Sequence, residues 1–310
     1  MIVCVCLNPA LDMTYQVAEL VPGASHRAQL SSCRAGGKGV NVARVLHQLH
    51  EPVLVMGLLG GATGTAVASE LAAAGVPTLF TATCQDTRRT VTVVDRRDAT
   101  VLNEPGPVLD ERDWSAFLRE FDTQVGAARV VVLSGSLPPG LPAEAYRVLT
   151  ERARASGAVV VVDAAGPALT AALEAGPDLV KPNVVELAGI VGRDLSELHD
   201  VLQAAESLRR NGARVAVVSR GAHGLVALTG AAAFRAAVKV RVSGNATGAG
   251  DALTAVLARG MRRGDDWRST LREGVAVSAA AVTVQHAGEA DLAHAGRLLG
   301  DVEVEEMPWP

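Results

Sequence analysis

The sequence predicts an α/β fold: a mostly parallel central sheet with helices on both faces, and a small antiparallel sheet inserted into it. Three observations carry this. Six short apolar runs punctuate the chain, each continuous rather than alternating, as for strands covered on both faces. Segments of helical period separate several of them, and strand–helix–strand alternation builds a parallel sheet. Two polar, β-branched stretches fit neither pattern.

The runs are IVCVCL from Ile2, PVLVMG from Pro52, RVVVLSGS from Arg129, AVVVVDAAG from Ala158, DLVKPN from Asp178 and RVAVVSRG from Arg214. Among the helical segments, Val42, Leu46 and Leu49 recur at i, i+4, i+7. Trp114, Phe117, Leu118 and Phe121 recur at i, i+3, i+4, i+7 after the acidic start Asp110–Glu111. Of the two exceptions, the first runs from about Thr14 to Arg34 and is polar without a helical period. The second begins at Thr87 and alternates (Val91, Val93) around a polar turn at Arg96–Arg97–Asp98. Dense β-branching at Thr90–Val94 favours a small sheet over two long surface loops. The insertion is expected to comprise about residues 11–34 and 87–104, within one domain spanning 1–310.

Hydrophobic residues make up 49% of the 310, enough for a sizeable core. Lys+Arg is 29 and Asp+Glu 33, a net charge of −4, which gives no support to a nucleic-acid coat or a polybasic membrane binder. No apolar stretch reaches the ~18 residues of a spanning helix. The N-terminus has no basic region, and Pro9 and Asp12 fall where a signal core would continue. Cys4, Cys6, Cys33 and Cys84 are too few for a disulfide scaffold and lack zinc spacing. Cys4 and Cys6, two apart on a strand, face the same way as small hydrophobes. The expected compartment is the cytosol.

Three motifs can carry chemistry. In SGNATGAGDALTAVLARG, from Ser243, a Gly-Ala-Gly-Asp turn opens an apolar helix. Its backbone N–H groups form an anion site, and Asp251 in the first turn is either a helix cap or the acceptor of a hydroxyl proton in phosphoryl transfer. In RAGGKGVNVARVL, from Arg34, glycines again open a helix, with Lys38 and Asn41 in the turn. This is neither a Walker A loop nor a G-x-G-x-x-G, but its donors suit a polyol or a phosphate. In DLVKPNVVEL, Glu186 lies three residues past Asn183. A capping box explains both; the alternative has them holding Mg²⁺ through waters. SGSLPPGLP, from Ser134, and SRGAHG, from Ser219, are polar exits at strand C-termini, where open α/β sheets bind ligands.

The ordered set LNPALD, GGKGVNVARVL, TRRT, NEPGP, SGSLPPG, KPNVVEL, SRGAHG and TGAGDA resembles the PfkB (ribokinase-like) carbohydrate kinase family over essentially the whole chain. Within it the chain is most similar to the bacterial 1-phosphofructokinase and tagatose-6-phosphate kinase branch. The resemblance implies a ribokinase-like fold whose inserted sheet is a lid over the sugar and a clasp between two subunits. It implies ATP and Mg²⁺ as cofactors. It places the catalytic base at Asp251, with Gly248, Ala249 and Gly250 as the anion hole. Acceptor contacts fall at Asp12, Gly36, Gly37, Lys38, Asn41, Arg88 and Ser136, and a basic residue for the sugar phosphate at Arg27. Nucleotide contacts fall at Lys181, Asn183, Ser219, Gly221, Gly224 and Thr247, and the Mg²⁺ pair at Asn183 and Glu186. The chain departs from the pattern at Thr90, at Ala246–Thr247 and at Arg220.

The resulting expectation is an ATP-dependent kinase of a ketohexose phosphate, fructose 1-phosphate before tagatose 6-phosphate. A kinase of a free sugar or nucleoside is the alternative within the fold. Against it, aromatics are only 3%, with Tyr15 and Phe80 alone placed to stack a base, whereas Arg27, Lys38, Arg88 and Arg89 suit an anionic acceptor. A silent sugar-phosphate-binding regulator is the alternative outside enzymes, and the intact Asp251, Asn183 and Glu186 speak against it.

Overall fold

The computed structural model describes residues 1–309. Among the described residues fourteen strands are formed: β1 (Ile2–Cys6), β2 (Ala10–Gln16), β3 (Gln29–Gly36), β4 (Val53–Gly60), β5 (Thr78–Thr83), β6 (Arg88–Val94), β7 (Ala99–Asn103), β8 (Val130–Ser134), β9 (Val159–Asp163), β10 (Leu179–Val180), β11 (Val215–Ser219), β12 (Leu225–Leu228), β13 (Ala233–Val238) and β14 (Val302–Met307). The helices are α1 (Lys38–Gln48), α2 (Gly61–Ala73), α3 (Glu111–Val125), α4 (Ala145–Ala155), α5 (Gly166–Glu174), α6 (Val184–Val191), α7 (Leu198–Arg210), α8 (Ala249–Arg263), α9 (Trp267–Ala281) and α10 (Leu292–Leu298).

The main sheet has ten strands in the order β14-β13-β12-β11-β10-β9-β8-β1-β4-β5. From β11 to β5 neighbours run parallel; β11 to β14 pair antiparallel. The expected strand runs are all present, although the one from Asp178 contributes only two residues to β10. Pro182 has no N–H to donate, and Asn183 already caps α6. The antiparallel extension was not expected. Two of its three strands, LVAL and AFRAAV, contain four alanines in ten residues and are joined without a dipeptide turn signal.

Side chains alternate across β1. Ile2, Cys4 and Cys6 join one core with α1, α2, α8, α9 and α10, while Val3, Val5 and Leu7 join the other with α3 to α7. Each face therefore buries a separate apolar layer, the reason the strands read as unbroken hydrophobic runs. The aromatic stripe of α3 is buried as its period implies, with Trp114, Phe117 and Phe121 stacked in sequence, and Asp110 caps it in a capping box with Asp113.

The insertion forms a separate four-stranded sheet, β3-β2-β6-β7. Its outer pairs are antiparallel and its central pair, β2–β6, is parallel. Asp12 lies opposite both Arg34 and Thr90, at the end of this sheet nearest the main domain. Leu30, Val101 and Leu102 are exposed on it.

Candidate active site

Two helix N-termini converge beside the C-terminal ends of β1, β9 and β10. α1 starts at Gly37, whose φ of 103° only glycine adopts freely and where a Cβ would lie 2.8 Å from Cys6 Sγ. α8 starts at Gly248, with φ 84° and no side-chain cap. The first-turn N–H groups of α8 are thus free of side-chain partners and carry the positive end of the helix dipole. Asp251 is not the cap, because Gly248 holds that position. Its carboxylate is buried and accepts a 2.8 Å hydrogen bond from Asn41 Nδ2 on α1.

Behind this pair stands Asp163, at the end of β9 and fully buried. It accepts from Lys38 Nζ at 3.2 Å, Lys181 Nζ at 3.1 Å and Thr254 Oγ1 at 2.9 Å. Burial works against its charge, but the two ammonium groups outweigh it, and its carboxyl titrates below the ordinary range. Asp251 goes the other way. Burial, then the negative Asp163, push it up to about 7, against the Asn41 hydrogen bond and the Lys38 and Lys181 charges. Lys38 is held protonated: burial disfavours its charge, but Asp163, Glu186 and Asp251 surround it. The result is a near-neutral base beside a fixed cation and an anion-binding helix end, the parts a phosphoryl transfer to a hydroxyl requires.

Asn183 and Glu186 form the complete capping box of α6. Asn183 Oδ1 accepts from Glu186 N–H at 2.8 Å, and Glu186 Oε2 accepts from Asn183 N–H at 2.9 Å. Glu186 Oε1 also accepts from Lys38 Nζ at 3.1 Å. Among the described residues, no group of three or more His, Cys, Asp or Glu side chains could hold a metal ion. Asn183 bridges to Ser219, which brings the two strand exits together. Gly221 (φ 57°) and Gly224 (φ 75°) shape the loop that follows, and a Cβ at Gly224 would overlap the Ala236 carbonyl. Thr247 is exposed, its N–H donating to Asn245 Oδ1.

On the insertion side, Gly36 approaches Asp12 so closely that a Cβ would overlap the carboxylate. Burial raises the Asp12 pKa, with Thr90, Arg88 and Arg44 opposing. Ser136 is exposed at the exit of β8 and accepts from Asn8 Nδ2 at 3.1 Å.

Three of the expected site residues have partners or places of their own within the chain. The Lys181 side chain is 3% exposed and ends on Asp163, because that buried carboxylate needs a cation. The Arg88 guanidinium is occupied by the carbonyls of Asn8 and Glu104 and by the Thr90 hydroxyl. Arg27 is exposed beyond the Gln16–Gln29 pair, at the end of the β2–β3 ladder remote from Asp12. It is not brought to the other acceptor residues within this chain.

Sequence reasoning missed Asp163, Asn8 and Glu70. Asp163 was legible only as a charge ending a run of four valines at a strand C-terminus. Glu70 on α2 gave no signal. Its Oε2 accepts from the Ala35 N–H at 3.2 Å and from Arg44, which fixes the turn where β3 becomes α1.

With this geometry in place, a family model described as pfkB family carbohydrate kinase matches residues 4–293. The chain belongs to this family of carbohydrate kinases. It is 39% identical over 282 residues to a 1-phosphofructokinase of Rhodobacter capsulatus, covering 90% of this chain and 89% of that one. A 1-phosphofructokinase of Bacillus subtilis is 31% identical over 307 residues, covering 99% and 100%. Among solved structures, phosphofructokinase-2 from Escherichia coli in complex with potassium superposes with a TM-score of 0.90 at 29% identity, covering 97% and 98%. The same enzyme in complex with fructose-6-phosphate gives 0.86 at 28% over the same shares of the two chains. As a member of the pfkB family the chain is a phosphotransferase with an alcohol group as acceptor. No helix among the described residues is long and apolar enough to cross a membrane.

Proposed function

We propose that the chain transfers the γ-phosphoryl group of ATP to a hydroxyl of a ketohexose phosphate. Fructose 1-phosphate is the first choice, giving fructose 1,6-bisphosphate, and tagatose 6-phosphate the second. The observation that carries the reading is the Asn41–Asp251 pair between two helix N-termini, with Asp251 titrating near 7. The names of the 1-phosphofructokinase relatives support the choice of sugar.

In this reading Asp251 takes the proton of the attacking hydroxyl, and the N–H groups of the first turn of α8 face the charge moving with the phosphoryl group. Lys38 neutralises the phosphates, while Asp12 and the Gly36–Gly37 turn hold the sugar. Asn183, Ser219, Gly221, Gly224 and Thr247 line the nucleotide's side. Mg²⁺ suits the donors present. It keeps much of its water shell and takes one or two carboxylates plus substrate phosphates, and Glu186 is one half-buried carboxylate facing the same space as Lys38. Held there through waters by Glu186, with Asn183 beside it, Mg²⁺ would supply charge neutralisation of the nucleotide phosphates.

The inserted sheet is a lid that excludes water during transfer. Its exposed Leu30, Val101 and Leu102 suit a clasp with a second copy of the chain. Such a clasp also gives Arg27 a role, since it would reach an acceptor phosphate in the partner's site rather than in its own.

The test is an ADP-release assay with fructose 1-phosphate, tagatose 6-phosphate, fructose 6-phosphate, free fructose and ribose. The highest kcat/KM is expected for fructose 1-phosphate. A free sugar as best substrate would replace this reading with a free-sugar kinase, and no turnover with any of them would favour a silent regulator.

A further inference from the structure

Asn8 follows β1, whose two neighbours in the sheet are β8 and β4, so it sits where the strand order switches direction. It is 5% exposed. Three other parts of the chain meet on it. Its Nδ2 donates to the Pro105 carbonyl at 3.0 Å and to Ser136 Oγ at 3.1 Å. Its own carbonyl accepts from Arg88 Nε at 3.1 Å. Gly106, at φ 105°, passes so close that a Cβ there would overlap Oδ1. Oδ1 itself has no hydrogen-bond partner although it is buried.

The orientation of this amide follows from its partners. A carbonyl can only accept, so the Pro105 oxygen requires the NH₂ end of Asn8 to face it. The second N–H then points at Ser136. Because Ser136 Oγ accepts that bond, its own hydrogen is free to point away from Asn8. Ser136 is exposed at the exit of β8, so the hydrogen is free to meet a ligand there. A hydroxyl fixed in this way is a donor suited to an anion. Nothing in the capping or packing of β1 uses the Asn8 side chain. Its bonds go instead to the acceptor side of the cleft and to the chain leaving β7.

We propose that Asn8 is a positioning residue for the phosphate of the acceptor. Its carboxamide presents Ser136 as a hydrogen-bond donor and ties that donor to the lid's return at Pro105–Gly106. The proposal rests on the sugar-phosphate reading above. Replacing the carboxamide by a carboxylate of the same shape reverses the polarity of the site. The carboxylate can only accept, so Ser136 must donate to it and turns lone pairs towards the incoming phosphate. It also meets the Pro105 carbonyl with like partial charge.

The test is a double-mutant cycle with Asn8→Ala and Ser136→Ala, together with Asn8→Asp, assayed with fructose 1-phosphate and with free fructose. A lost hydrogen bond to a charged group corresponds to roughly a 10- to 100-fold rise in acceptor KM. Each single substitution is expected to show a rise of that size with fructose 1-phosphate, KM for ATP being unchanged. The double variant should be no worse than Asn8→Ala alone, and Asn8→Asp should be worse than Asn8→Ala. With free fructose the coupling should vanish. Ser136 is exposed, so Ser136→Ala reports on the contact whether or not the Asn8 variants fold well. Independent, additive losses in the cycle, or an Asn8→Asp enzyme with wild-type acceptor KM, would overturn the proposal. A wild-type enzyme that prefers free fructose would instead overturn the sugar-phosphate reading beneath it, so the two failures are separable.

Discussion

The side-chain amide of Asn41, in the first turn of α1, donates a 2.8 Å hydrogen bond to the carboxylate of Asp251, in the first turn of α8. The two residues are 210 positions apart, and both helices begin at a positive-φ glycine. The bond leaves Asp251 one free oxygen in a buried site where the Asp163 charge opposes its ionisation. A carboxylate so placed titrates near neutrality and, in the proposed reaction, takes the proton of the substrate hydroxyl.

The first expectation is a pH–rate profile. With Asp251 titrating at about 7, kcat/KM should rise with pH through that value and level off above it, because only the ionised form accepts the proton. Asp251→Asn keeps the shape and the contact with Asn41 but cannot take the proton, so kcat should fall roughly 10²–10⁴-fold. A flat profile between pH 5.5 and 8.5, or a folded Asn variant with wild-type turnover, would remove Asp251 as the base.

The same group makes a stability prediction. Its carboxyl is raised in the folded protein from 3.8 to about 7, so the folded state binds a proton that the unfolded state has already released. That contribution is complete below the unfolded value and is lost as pH rises from 4 through 7. The Asn variant does not titrate. Its Tm should therefore gain on wild type between pH 5 and pH 8, by several degrees for a difference on the order of a few kcal/mol. A Tm gap independent of pH would show that Asp251 is ionised throughout.

Asp163→Asn should separate structure from titration. Removing this charge leaves the Lys181 ammonium, 3% exposed, without its counter-ion. Breaking a buried pair in this way costs about 3–5 kcal/mol, so Tm should fall clearly. The acid limb of the rate profile should move to lower pH, because Asp251 loses its negative neighbour and keeps both lysines. An unmoved limb would mean that burial alone sets the Asp251 value.

Which of these residues could be read from the sequence depends on how local their roles are. Asp251, Lys38 and Asn41 were legible because each sits in a glycine turn opening a helix, a pattern contained within a few residues. Asn183 and Glu186 were legible for the same reason, and the capping box they form satisfies the local rule in full. Asp163 was not, because its meaning comes from partners 125 and 91 residues away on other elements. The tie between Lys181 and Asp163 was hidden likewise, because the two residues end different strands. The parallel sheet followed from continuous apolar runs, whereas β12 and β13 draw six of their ten residues from alanine and leucine, which favour helices. Arg27 could be assigned to the insertion but not to the remote end of it, since the β2–β3 register depends on a bulge between Thr14 and Tyr15 that no local signal marks.

Glu186→Gln tests the metal role against the capping role. The amide oxygen still accepts from the Asn183 N–H, so the box and the stability of α6 should survive. The lost charge should raise the Mg²⁺ concentration needed for half-maximal activity, with little change in Tm. Superimposable Mg²⁺ titrations would assign Glu186 to capping and to Lys38 alone.

Gly36→Ala and Gly37→Ala address the turn that presents the acceptor side. Gly36 needs no left-handed backbone, and its constraint is steric, because the new methyl would overlap the Asp12 carboxylate. Asp12 lies on the inserted sheet, and the atoms met are those of its carboxylate, which must turn from its place, so the substitution should be felt in acceptor binding. KM for fructose 1-phosphate is expected to rise about 10-fold or more, the scale on which misplacing a positioning contact acts, with KM for ATP and Tm little changed. Gly37 differs, since its φ of 103° begins α1 and a Cβ would press on Cys6 and Pro9. Strain there costs about 1–3 kcal/mol and shifts the helix that carries Lys38 and Asn41. Gly37→Ala should accordingly lower both Tm and kcat. Equal effects of the two substitutions on Tm and on acceptor KM would contradict this division, because it would mean that the turn acts as one rigid unit rather than as a lid contact followed by a helix start.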